Sequence, residues 1–197
     1  TIDPNPVKFD SRTASVTYPY TTTMPAGRYE IELRGGKAKD ITVRYTDGVD
    51  RWTETSYGGK GGIVRFVMSL DSTSDIEIKH ITNGDAGDCY ALYVNAVLCA
   101  VAGGGGKGAR GRSGGSGNWH YYHYDGADGG GDIASGGINS RDGKGGTQDN
   151  GGLGGIGEDG NGSNGSKYND ELTPFKGGTA YPDNYCGEGG CGYCGGG

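Results

Sequence analysis

Five cysteines, three histidines and a short run of aspartates are the residues of this chain whose types and spacing bear on chemistry. The cysteines are Cys89, Cys99, Cys186, Cys191 and Cys194, and the last three crowd into the final dozen residues. A structural zinc site needs about four ligands at recognisable spacing. Here Cys191 and Cys194 form one CxxC, while Cys89 and Cys99 stand apart with nine residues between them. All five are therefore read as disulfide candidates in an oxidising compartment, with an odd thiol left free or paired between molecules. His120 and His123 have no acidic or thiol ligand at a defined spacing, so no metal is expected. Asp125, Asp128 and Asp132 could bind calcium weakly but read better as solvated turn carboxylates. The chain has no phosphate-binding loop, no nucleophile elbow and no zinc-protease helix, and its scattered serines and histidines suggest no triad. Neither an enzyme nor a cofactor is expected.

What remains is a surface chemistry. Trp119-His120-Tyr121-Tyr122-His123-Tyr124 is the densest aromatic block, set between two glycine-rich stretches. Tyr and Trp give large contact area at low entropic cost and keep a polar handle. At a loop tip such a block suits a sugar- or protein-binding surface, or it folds back as a small core over its neighbours. Asn161 and Asn164 each begin an Asn-Gly-Ser sequon and are possible glycosylation sites.

The elements that must position these residues divide at residue 103. Of 45 glycines only ten precede it, which leaves 35 in the last 95 residues. Residues 1–15 form a polar arm carrying Val7 and Phe9. Residues 16–102 read as strands, among them Ser15–Thr23, Arg28–Arg34, Asp40–Thr46, Ile63–Leu70 and Asp75–Ile81, with clean alternation from Tyr29 to Leu33. Pro19 confines the first of these to an edge or a bulge. Cys89–Val94 and Ala96–Ala102 are nearly continuous apolar runs and read as central strands. No window has helical periodicity. The expected body is an antiparallel β-sandwich or barrel.

Residues 103–197 read as a glycine-rich bundle with loops, packed on that body as one cooperative unit. A flexible linker is the alternative. Against it stand apolar residues spaced through the stretch as anchors: Ile133, Ile138, Leu153, Ile156, Leu172, Phe175, Tyr181, Tyr185 and Tyr193. Glycine does not fall at every third position, which excludes collagen. The ordered form open to such backbone is an extended left-handed threefold helix with about three residues per turn. Its peptide groups point sideways, so neighbouring rods can satisfy one another.

Pro25-Ala26-Gly27-Arg28-Tyr29-Glu30-Ile31-Glu32-Leu33-Arg34-Gly35, then Gly58-Gly59-Lys60-Gly61-Gly62, then Val97 through Gly106, resemble a known pattern. The order is similar to the glycine-rich extracellular domain of anaplastic lymphoma kinase and leukocyte tyrosine kinase, and to glycine-rich bacteriophage tail-fibre adhesins. The resemblance implies an all-β fold: a jelly-roll-like antiparallel sandwich packed with a bundle of polyglycine-type helices. It also implies an extracellular binding role without catalysis. Nothing here matches a kinase or a membrane-spanning helix, so receptor signalling is not carried over.

Charge narrows the partners. The net charge is −6 and the pI is near 5.0, which argues against nucleic acid and against anionic lipid. No run reaches the roughly 18 apolar residues of a membrane span. The first residues lack the features of a signal peptide, and the missing initiator Met fits a processed chain. The expected function is an extracellular adhesion protein that presents loops to a cell-surface protein or glycan. The rival is a structural filament subunit whose arm, with Val7 and Phe9 at alternating positions, adds a strand to an identical neighbour.

Overall fold

The computed structural model describes residues 15–46, 51–115, 118–126, 128, 129 and 177, with the strands between 109 and 124 described through their backbone. Val7, Phe9, Asp132, Asn161, Asn164, Cys186, Cys191, Cys194 and the anchors from Ile133 to Tyr193 lie outside those residues. The described part is all-β: ten strands in four antiparallel sheets, without a helix.

Alternation dictates most of the strands. In β2 (Gly27–Arg34) and β5 (Ile63–Leu70) the register sets Tyr29 opposite Met68, Ile31 opposite Phe66 and Leu33 opposite Val64. Successive side chains of a strand face opposite ways, so these six share one face. The four-stranded sheet runs β1 (Tyr20–Met24), β6 (Ser74–Ile81), β7 (Cys89–Val94), β8 (Val97–Ala102). It contributes Met24, Ile76, Ile78, Leu92, Val94, Ala100 and Ala102 to the same core as Leu33, Met68 and Leu70. Leu92 is 2% exposed at its centre, a burial that stabilises by about 2–3 kcal/mol.

The other face of β7 and β8 buries Cys89, Ala91 and Val101 against Ile81, Tyr93 and Leu98. Lys79 lies 4.5 Å over the Tyr93 ring, and burial raises the phenol's pKa above its ordinary value, helped by nearby Glu77. On the outer face of β2 and β5, Glu32 accepts from Arg34 and Arg65. Those two guanidiniums, Arg34 foremost, hold its pKa down at about 2.

Several expectations need correction. β1 starts at Tyr20, directly after Pro19, which has no N–H to give a ladder. β8 is an edge strand, so only β7 of the apolar pair is internal. A strand that alternation missed, β4 (Arg51–Ser56), pairs with β3 (Ile41–Thr46). Its Arg-Trp-Thr-Glu-Thr-Ser has one aromatic residue among polar ones and offers no apolar period. Neither Cys89 nor Cys99 is in a disulfide. Tyr90 pairs with Ala102 while Cys99 sits at the bulge opposite Leu92 and Tyr93. The two thiols are thus about three rungs apart, roughly 10 Å along the ladder, beyond the ~7 Å reach of a disulfide between Cα atoms.

Between the sheets, five short glycine-rich segments pair backbone to backbone. Gly35 and Ala38 donate to the carbonyls of Gly62 and Gly59, both at 2.9 Å. Gly36 and Lys39 donate to Asp88 and Asp85, Gly59 and Gly62 donate to Gly106 and Gly103, and Gly126 and Gly129 donate to Tyr57 and Lys60. In each pair of segments the bonds recur after three residues. Gly105 joins two more, its N–H bonding Gly36 O and its carbonyl accepting from Gly87.

Such closeness leaves no room for a Cβ. A methyl on Gly35 would overlap the Gly103 carbonyl, on Gly87 the Gly36 carbonyl, on Gly104 the Gly87 carbonyl and on Gly105 the Gly59 carbonyl. None of these four has a positive φ of the kind side chains avoid. Space, not torsion, demands glycine.

Candidate binding site

The directions of these bonds decide where the hairpins go. Segment 35–39 runs antiparallel to 57–62, which runs antiparallel to 103–106. Segments 35–39 and 103–106 therefore run the same way, and each leads at its far end into a hairpin. The first hairpin is β3–β4; the second pairs β9 (Ala109–Gly115) with β10 (Asn118–Tyr124). Both emerge at one end of the glycine segments, with β2, β5, β7 and β8 at the other. β10 runs close to β4.

The aromatic block is thus strand β10 rather than a loop tip. Alternation puts Trp119, Tyr121 and His123 on one face and His120, Tyr122 and Tyr124 on the other. His120 and His123 fall on opposite faces and do not form a pair. The register sets Trp119 opposite Gly114, Tyr121 opposite Arg112 and His123 opposite Arg110. On the second face His120, Tyr122 and Tyr124 stand opposite Ser113, Gly111 and Ala109, all small.

The base of this hairpin is held by a repeated device. Asp125 Oδ1 accepts the Tyr57 N–H at 2.7 Å while the next residue, Gly126, donates to the Tyr57 carbonyl at 2.7 Å. Three residues on, Asp128 Oδ1 accepts from Lys60 N and Gly129 donates to Lys60 O, again at 2.7 Å. Each Asp-Gly pair brackets the main-chain N–H and C=O of one residue. The carboxylates expected as turn residues in solvent are exposed, yet they are structural anchors. Their three-residue spacing in Asp125-Gly126-Ala127-Asp128-Gly129 was the available signal, because it matches the period of the glycine segments.

Two more carboxylates secure the same end. Asp85 accepts from Lys107 at 3.0 Å and Lys39 at 3.1 Å; Lys107 first, then Lys39, holds its pKa below the ordinary 3.8. Asp40 accepts from Lys37 at 2.7 Å and from Gly58 N at 2.9 Å, and these partners, Lys37 foremost, depress its pKa likewise. Beside the second hairpin, Tyr57 is 58% exposed and Trp52 of β4 stacks on Tyr45 at 5.4 Å. The Trp52 indole N–H donates to Glu54. Exposed aromatic surface thus lies on β4 and at Tyr57, beside the strand that carries the aromatic block.

A carboxylate–imidazole pair sits at the opposite end. His80 Nε2 lies 2.8 Å from Asp88 Oδ2, its ring stacked on Tyr90 at 4.8 Å and edge-on to Tyr18 at 5.4 Å. Asp88 Oδ1 accepts from Asn83 N, and its backbone carbonyl accepts from Gly36 N. The pair joins β6 to the glycine segments, a structural task. Among the described residues no three His, Cys, Asp or Glu side chains converge as metal ligands, and no helix is long and apolar enough to cross a membrane. No family model matches the chain, and no curated protein or solved structure matches it.

Proposed function

We propose that this chain is a non-catalytic extracellular binding protein that presents an aromatic hairpin on a glycine-backbone scaffold. In this reading the two sheets sharing the apolar core form a jelly-roll-like sandwich. The glycine segments are short polyglycine-type left-handed helices, and the adhesin-like resemblance of residues 22–106 is one of fold and role. The observation that carries it is the rooting of β9–β10. A strand with aromatic residues at both its odd and its even positions is fastened at its base by two Asp-Gly brackets. The three-residue recurrence of the bonds matches the period of the polyglycine-type helix.

The test is a quadruple alanine variant at Trp119, Tyr121, Tyr122 and Tyr124, assayed for adhesion to the target cell surface beside a thermal melt. Adhesion should vanish while the melting of the sheet end is kept. Unchanged adhesion would sink the reading.

One observation favours the filament reading as a second. β1 and β8 are the edges of the four-stranded sheet, and Val97 of β8 is 64% exposed, an edge on which a partner's arm could add a strand. Deleting residues 1–15 separates the two: a filament subunit loses assembly, an adhesin keeps binding.

A further inference from the structure

We infer that the Arg110–Arg112 face of the β9–β10 hairpin binds an acidic saccharide, one bearing carboxylate or sulfate groups. This rests on the binding role proposed above and names its ligand class. Three observations meet here. The first is charge: from Cys89 to Tyr124 the chain has no Asp or Glu, yet it carries Lys107, Arg110 and Arg112 within a molecule of net charge −6. The second is register, which sets Arg112 opposite Tyr121 and Arg110 opposite His123, with Trp119 next along the same face. The third is the fate of three described acids at the hairpin end of the glycine segments. Asp125 and Asp128 are engaged by the peptide N–H groups of Tyr57 and Lys60 at the hairpin's base, and Asp85 by Lys107 and Lys39.

The chemistry follows from those placements. A guanidinium offers a planar fork of donors that matches a carboxylate or sulfate in two-point fashion. Indole and phenol rings supply flat apolar area with a polar edge, which suits the C–H faces of a pyranose. Two residues apart on one strand face, Arg110 and Arg112 stand about 7 Å from each other. That spacing suits charges borne on separate sugar units. It does not suit duplex DNA, which carries about one charge per 1.7 Å of axis and rewards a dense basic row. The opposite face, with Ser113, Gly111 and Ala109 across from His120, Tyr122 and Tyr124, has no cation of fixed charge and is the neutral face of the ribbon.

The experiment uses the full chain and titrates a tetragalacturonate, its methyl ester, a heparin tetrasaccharide, its desulfated form, and a polyglutamate of equal charge. Binding of the charged saccharides at least about tenfold over their neutralised forms is expected, weakening as salt rises. Arg110→Gln with Arg112→Gln should abolish that preference, and Arg→Lys at both positions should restore part of it, each with an unchanged melt. Equal binding of charged and neutral saccharides overturns the ligand class while leaving the adhesin reading intact. Polyglutamate binding as tightly as the saccharides overturns the sugar, and so does an absence of binding to either charged saccharide. Adhesion that survives the quadruple aromatic variant overturns the underlying reading instead.

Discussion

Leu92 and Gly105 occupy equally crowded places in two regions that are held together by opposite means. Around Leu92, side chains from six strands fill a common core, and its position is defined by what it contributes. Around Gly105, the neighbours are peptide groups. Its N–H bonds Gly36, its carbonyl accepts from Gly87, and the space a Cβ would take is occupied by the Gly59 carbonyl. The sheet end stabilises by removing apolar surface from water. The glycine end gains little of that. It satisfies backbone donors and acceptors across segments that only hydrogen-sized side chains allow to approach. The comparison teaches that deletion is the dangerous change in one region and addition in the other.

The largest effect should come from that contrast. Leu92→Ala removes three carbons from the core and is expected to cost about 2–5 kcal/mol in urea unfolding. Gly105→Ala adds one carbon against backbone that has no rotamer to yield, and should cost about 4 kcal/mol or more. A Gly105→Ala protein as stable as wild type would break the comparison. Gly27→Ala is the control: there a Cβ meets the Tyr29 side chain at 3.3 Å rather than backbone, and the change should be small.

Acid should then separate the two ends. Asp40 and Asp85 have folded pKa values lowered below 3.8 by their lysine and peptide partners. Their contribution is complete above the unfolded value and is lost as pH falls through the folded one. Glu32, lowered from 4.5 to about 2, acts in the same sense at the sheet end. Stability should therefore hold from neutrality to about pH 4 and decline below it. Asp40→Asn with Asp85→Asn should flatten the decline for probes in the hairpins and leave it for probes in β2 and β5.

Smaller still are the anchors. Asp125→Ala or Asp128→Ala removes one charge-assisted bond to a peptide N–H, a loss of about 1 kcal/mol. It should loosen β9–β10 locally, read as faster proteolysis after Lys107, Arg110 or Arg112 with a nearly unchanged global melt. The smallest change runs the other way. Asn95 and Ala96, the turn between β7 and β8, have φ of 49° and 64°, where an alanine is strained by about 1 kcal/mol. Ala96→Gly should stabilise by up to that amount. Here torsion would prefer a glycine that the chain lacks, whereas at Gly105 space requires one it has.

How much of this was legible in the sequence follows the same division. The strands from Gly27 to Ala102 that bury one face announced themselves through alternation, as Tyr29-Ile31-Leu33 did. The polar β4 and the Arg-Gly-Arg-Ser of β9 did not, because neither strand's sequence alternates apolar with polar. β8 read as central because its residues are apolar, yet its place at the edge is set by which strands pair, a property of topology. The glycines at 103–106 signalled backbone packing. Their partners at Gly35-Gly36, Gly58–Gly62 and Gly87 are too few and scattered to reveal that they complete the same arrangement. The aromatic block was visible at once; its two faces became distinct only when the register put Arg110 and Arg112 across from it.

Amide hydrogen exchange tests the central claim most directly. If the glycine segments are held by cross-segment bonds, the amides of Gly35, Ala38, Gly59, Gly62, Gly87, Gly105, Gly126 and Gly129 exchange slowly. In Gly105→Ala they lose protection together, while Leu92 and its ladder partners keep theirs longer. Wild-type exchange at these glycines as fast as in an unstructured chain would contradict the account.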